Sequence, residues 1–78
     1  MPTVLRWRGY RFFWFSWDRV EPPHVHIWKD RKECKIWLFD LSLAFNRGYS
    51  AAEISRLVAK SAEERDRFLE LWNEQFGE

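Results

Sequence analysis

The residues with the most chemical reach are two imidazoles two positions apart behind a tandem proline, Pro22-Pro23-His24-Val25-His26. In an extended chain side chains alternate between faces, so His24 and His26 leave the backbone on the same side. Three kinds of chemistry fit such a pair. As metal ligands the two histidines supply two donors, whereas a stable zinc or manganese site asks for three or four. Glu21 and Glu33 are the nearby candidates for a further donor, and Cys34 is expected to face the other way. On that count no metal and no cofactor is assigned. As an acid and a base near neutrality, His24 and His26 suit metal-independent RNA cleavage, with Lys35 and Arg31 supplying cations for the charged phosphorane. Trp28 and Trp37 then offer stacking surfaces for unpaired bases. As structural groups, the imidazoles anchor the start of a strand by hydrogen bonding to nearby backbone, and the indoles form a partner or homodimer interface.

The elements that must position these residues divide the chain in two. Through residue 40 the pattern is that of strands. Thr3-Val4-Leu5-Arg6-Trp7-Arg8 alternates, with Val4, Arg6 and Arg8 opposite Leu5 and Trp7, and Gly9 then interrupts before the aromatic run from Tyr10 to Trp17. That run is apolar on both sides, as an inner strand or one that meets a partner must be. Residues 18–23 form a connection, because the prolines remove two backbone donors and favour an extended entry. Residues 24–29 and 33–39 make a second hairpin around Asp30, Arg31 and Lys32. Period two then places Val25 and Ile27 with Cys34, Ile36 and Leu38 on a core face. The opposite face gathers His24, His26, Trp28, Glu33, Lys35 and Trp37.

After Asp40 the period changes. Residues 41–45 read as a short helical turn closed by Asn46-Arg47-Gly48. Ser50-Ala51-Ala52-Glu53 is a capping box and starts a helix. Its apolar stripe runs through Ile54, Leu57, Val58, Phe68, Leu69, Trp72 and Phe76, interrupted at Ser61 and Arg65. Ser61-Ala62-Glu63-Glu64 is a second capping-box pattern, but no glycine or proline intervenes, and one long helix of about six to seven turns is the preferred reading. The fold class expected is α+β: an antiparallel sheet of about four strands packed on one face by that helix, as a single domain over residues 1–78.

Composition bounds the function. The chain of 78 residues has room for one small core, and with Cys34 as its only cysteine it has no intrachain disulfide to hold it. Cys34 within an apolar run is a packed small residue. Aromatic residues make up 19% of the chain, more bulk than so small a core can cover, which points to an exposed interaction surface. The net charge of +1 singles out no polyanionic partner. No stretch suits a secretory leader or a bilayer span, so a cytoplasmic protein with no membrane association is expected.

Residues Pro2-Thr3-Val4-Leu5-Arg6, Tyr10-Arg11-Phe12-Phe13, Pro22-Pro23-His24-Val25-His26, Asn46-Arg47-Gly48 and Trp72-Asn73-Glu74 together resemble domain-of-unknown-function family 4160, small and mostly bacterial proteins. Tryptophans at 14, 17 and 28 and Cys34 depart from the usual pattern and make the aromatic face heavier. The resemblance implies one half of a two-gene cassette, associated with toxin–antitoxin or defence systems, beside a second small protein. The expected function is therefore a component of a toxin–antitoxin-like pair that acts on RNA, or on its cognate partner, through the His-x-His face. His24, His26, Lys35 and Arg31 are the candidate catalytic residues, and Trp28, Trp37 and Arg47 the candidate contacts for RNA or partner. The competing expectation is a non-enzymatic interaction module, self-associating in one form, in which the histidines are structural.

Overall fold

The computed structural model describes residues 3–77. Its elements are β1 (Thr3–Trp7), β2 (Tyr10–Phe13), a one-turn 3-10 helix (Ser16–Val20), β3 (His24–Lys29), β4 (Lys32–Trp37), β5 (Leu43–Arg47), α1 (Ala51–Glu63) and α2 (Arg65–Phe76). The strands form one antiparallel sheet in chain order, β1-β2-β3-β4-β5. The α+β class follows from this, with five strands where about four were expected and two helices where one was preferred.

Two tight turns set the first registers. Arg8-Gly9 and Asp30-Arg31 each link strands through two residues at positive φ, the backbone pattern of a type I′ hairpin whose twist matches that of the strands. Val25 then faces Ile36 and Ile27 faces Cys34, and all four are fully buried beneath the helices together with Phe12, Leu38, Leu57 and Phe68. The core-face assignment by period two is thus correct for β3 and β4. In β1 it is not, because a register shift between Thr3 and Leu5 lets Val4 pack against the core beside Leu5 and Trp7.

The expected helical turn at residues 41–45 is instead the start of β5. Asp40 makes an Asx turn, accepting from the Ser42 N–H (2.9 Å) and hydroxyl (2.6 Å), and Leu41 takes a positive φ of 61°. The chain reverses there and pairs with the free edge of β4, whose backbone groups would otherwise lack partners. Asn46 and Arg47 accordingly lie within a strand, and only Gly48 turns the chain. Its φ of 108° and a Lys32 side chain 2.9 Å from where a Cβ would sit both call for glycine.

The Ser50 capping box forms as expected, with Glu53 N–H donating to Ser50 Oγ at 3.1 Å. Glu53 also accepts from the Tyr10 hydroxyl at 2.9 Å, which ties the start of α1 to β2. The helix breaks at Glu64 rather than running through, and the second capping-box pattern is not used: Ser61 lies inside α1, fully buried. Its side of the helix continues the apolar stripe, so it is packed rather than exposed. Arg65, the other apparent interruption, donates to the Leu38 and Phe39 carbonyls beyond β4. Among the described residues no helix is long and apolar enough to cross a membrane.

Candidate functional site

The connection between β2 and β3 builds the site. Asp18, in the 3-10 turn, accepts the Phe15 backbone N–H through Oδ2 at 2.8 Å, and this bond holds the carboxylate inward. Pro22 and Pro23 then bring the chain extended into β3. His24 and His26 leave that strand on the side opposite Val25 and Ile27, and both point their Nε2 atoms at Asp18 Oδ2, at 3.1 and 3.2 Å. His24 is fully buried and His26 is 7% exposed. The other ring nitrogens also have partners. His24 Nδ1 lies 2.9 Å from the Pro22 carbonyl oxygen, and His26 Nδ1 lies 3.1 Å from Glu33 Oε2, reached diagonally across the β3–β4 pair.

Aromatic rings wall the pair. Phe13 stacks on His26 with centroids 5.3 Å apart, Phe15 meets the same ring edge-on, and Trp37 and Trp72 both pack edge-on against His24. Burial alone would raise the Asp18 carboxyl, but the Phe15 N–H and the facing imidazoles outweigh it and hold its pKa below the ordinary value. For His26 burial dominates and keeps its pKa below 6.5, although Asp18 and Glu33 pull the other way.

The sequence candidates are only partly brought together. His24 and His26 converge. Lys35 reaches the same face but is paired with Glu21 and lies over the Trp37 ring. Arg31 occupies the hairpin turn, at the far end of β3 from His24, and is exposed. Trp28 (44% exposed), Trp37 and Arg47 share the open face, with Arg47 opposite Glu33 and over the Phe45 ring at 4.6 Å. Cys34 faces the core, as expected, and burial pushes its thiol up to about 12, so it is inert.

Asp18 was missed. It sits in a segment whose prolines mark it as a connection, and nothing in its spacing to His24 distinguishes it from any loop carboxylate. The available signal was an acidic residue shortly before a stiffened His-x-His strand.

The family model described as domain of unknown function (DUF4160) matches residues 9–73, a span from the first hairpin turn to the last turns of α2. The chain belongs to the DUF4160 family. No curated protein and no solved structure matches it. The DUF4160 match includes Asp18, His24, His26 and Glu33, so the buried cluster and its Glu33 partner lie inside the family's domain.

Proposed function

We propose that this chain is the binding member of a two-protein, toxin–antitoxin-like system and holds its cognate small protein through the open sheet face. The observation that carries this reading is the composition of that face. Trp28 and Trp17, the latter 68% exposed, stand beside three aromatic rings each covered by a cation: Phe13 by Arg11, Trp37 by Lys35 and Phe45 by Arg47. Tryptophan and arginine around a partly buried aromatic centre are the residues that anchor protein interfaces. The two-gene association comes from the family resemblance.

Charge favours a protein over RNA as the occupant. A polyanion is held by a surplus of cations, whereas here Lys35 is paired with Glu21, and Arg47 stands opposite Glu33. The ribonuclease reading has less support. Its acid and base are buried, its first cation is neutralised, and Arg31 stands apart. If the face is the interface, the purified chain binds the small protein encoded beside it in calorimetry, and Trp28→Ala with Arg47→Ala weakens binding by about 30-fold or more. Unchanged affinity in the double variant sinks the assignment of the face. Binding to single-stranded RNA with a steep salt dependence would replace the protein partner with nucleic acid.

A further inference from the structure

We propose that Asp18, His24 and His26 form a binding site for a divalent first-row transition ion, with Zn2+ the ion that best suits two imidazoles and one carboxylate. The inference does not depend on the partner-binding reading.

The geometry of the rings leads to it. The groups nearest the two Nδ1 atoms, the Pro22 carbonyl and the Glu33 carboxylate, are acceptors, so each Nδ1 is placed to donate and each Nε2 is turned toward Asp18. Both Nε2 atoms face the same carboxylate oxygen in a fully or nearly fully buried position, and His26 Nε2 is in hydrogen-bonding geometry with it. With the two Nε2 atoms unprotonated, a cation among the three atoms satisfies all of them at once. A proton is the competing cation and accounts for the contact of His26 Nε2 with Asp18 Oδ2, but His24 Nε2 makes no hydrogen bond despite lying 3.1 Å from the same oxygen. It is a buried polar atom with no partner, aimed into the cluster.

The carboxylate–imidazole distances agree with coordination. Ligand atoms about 2.1 Å from a metal, at the angles of a tetrahedral or octahedral site, stand about 3.0–3.4 Å from one another. The two Nε2–Oδ2 separations of 3.1 and 3.2 Å have that size, and among the described residues these three side chains alone place their donor atoms within 4.8 Å of one another. The outer partners have the right chemistry too. Metal-bound histidines donate their second ring N–H to a carbonyl or carboxylate, which fixes the tautomer and strengthens the ligand. Pro22 does this for His24 and Glu33 for His26, while Phe13, Phe15, Trp37 and Trp72 exclude solvent around them. Three protein donors leave at least one position for water or a further ligand.

The test uses tag-free, chelator-treated protein titrated with Co2+, whose visible absorption reports nitrogen and oxygen ligation. The expected result is a spectrum that saturates at one equivalent, is displaced by Zn2+, and lacks the intense near-ultraviolet band of a cobalt–thiolate. One equivalent of Zn2+ also raises the melting temperature. Asp18→Asn keeps an acceptor for the Phe15 N–H but removes the anionic ligand, and is expected to abolish both responses. Glu33→Gln keeps all three ligands and is expected to bind about 10–100-fold more weakly with the same spectrum. Arg31→Ala binds as wild type. The proposal is overturned if wild type shows neither response, if folded Asp18→Asn binds as tightly as wild type, or if a thiolate band moves the metal to Cys34. Should Asp18→Asn fail to fold by circular dichroism, the wild-type titration and Glu33→Gln decide, an unchanged affinity in Glu33→Gln counting against the site. Partner affinity, measured separately, is unaffected by any of these outcomes on its own.

Discussion

The two faces of this sheet come from the same strands and differ in what burial costs them. Beneath the helices, Phe12, Val25, Ile27, Cys34, Ile36 and Leu38 are fully buried and hold no group that water would solvate strongly. On the other side, one residue along the strand, His24 is fully buried and His26 and Asp18 are 7% exposed, walled by aromatic rings that include Trp72 of α2. Burying hydrocarbon is favourable by itself, at about 25 cal/mol per Å2. Burying a carboxylate and two imidazoles is unfavourable unless every polar atom finds a partner, and His24 Nε2 does not. Burial on the helix-covered side therefore favours folding by itself, whereas burial of the histidine cluster does so only as far as its polar atoms are paired.

Substitutions can break that contrast. The largest effect is expected on the helix side: Phe12→Ala, which removes the ring that packs 5.8 Å from Phe68, should cost about 3–5 kcal/mol in urea unfolding while leaving the Co2+ spectrum of the surviving folded fraction unchanged. Asp18→Ala should cost less, about 1–3 kcal/mol in chelator-treated protein, because it leaves the Phe15 N–H without its acceptor. A loss as large as that of Phe12→Ala would show that the polar cluster is itself a structural core.

Acid sharpens the comparison further. The folded pKa of His26 lies below 6.5, so between those two values the unfolded chain binds more protons than the folded one. Stability is then complete above about pH 6.5 and falls as the pH drops through that window. Asp18, whose folded pKa is also depressed, adds a further loss below its ordinary value of 3.8. Chelator-treated wild type should show both slopes in unfolding free energy against pH, and His26→Phe should lack the upper one. The smallest effect is expected at the rim, where Trp28→Ala changes unfolding free energy by no more than about 0.5 kcal/mol.

Much of the apolar face was legible in the sequence, because a strand's period is two and Val25, Ile27, Cys34 and Ile36 obey it. So was the start of α1, since Ser50 and Glu53 satisfy each other locally. The cluster was half legible. His24 and His26 could be placed on one side by parity, but Asp18 reaches them through a 3-10 turn whose position no local pattern specifies. The strand β5 was misread because Leu43 to Arg47 is too short to distinguish strand from turn, and the edge of β4 decides between them. The break at Glu64 has no glycine or proline to announce it. It leaves the last turn of α1 bonded through, with the Glu64 N–H donating to the Lys60 carbonyl at 3.0 Å.

The order of the strands has a kinetic consequence. Every strand pairs with its neighbours in sequence, so the sheet can assemble by zipping successive short connections, each closing at small entropic expense. The helices are different. Trp14 donates its indole N–H to Gln75 Oε1 across 61 positions of chain, and Tyr10 meets Glu53 across 43. Docking of the C-terminal helices over a preformed meander is the contact-order bottleneck, and while it is pending the apolar side of the sheet stays open to solvent and to other chains.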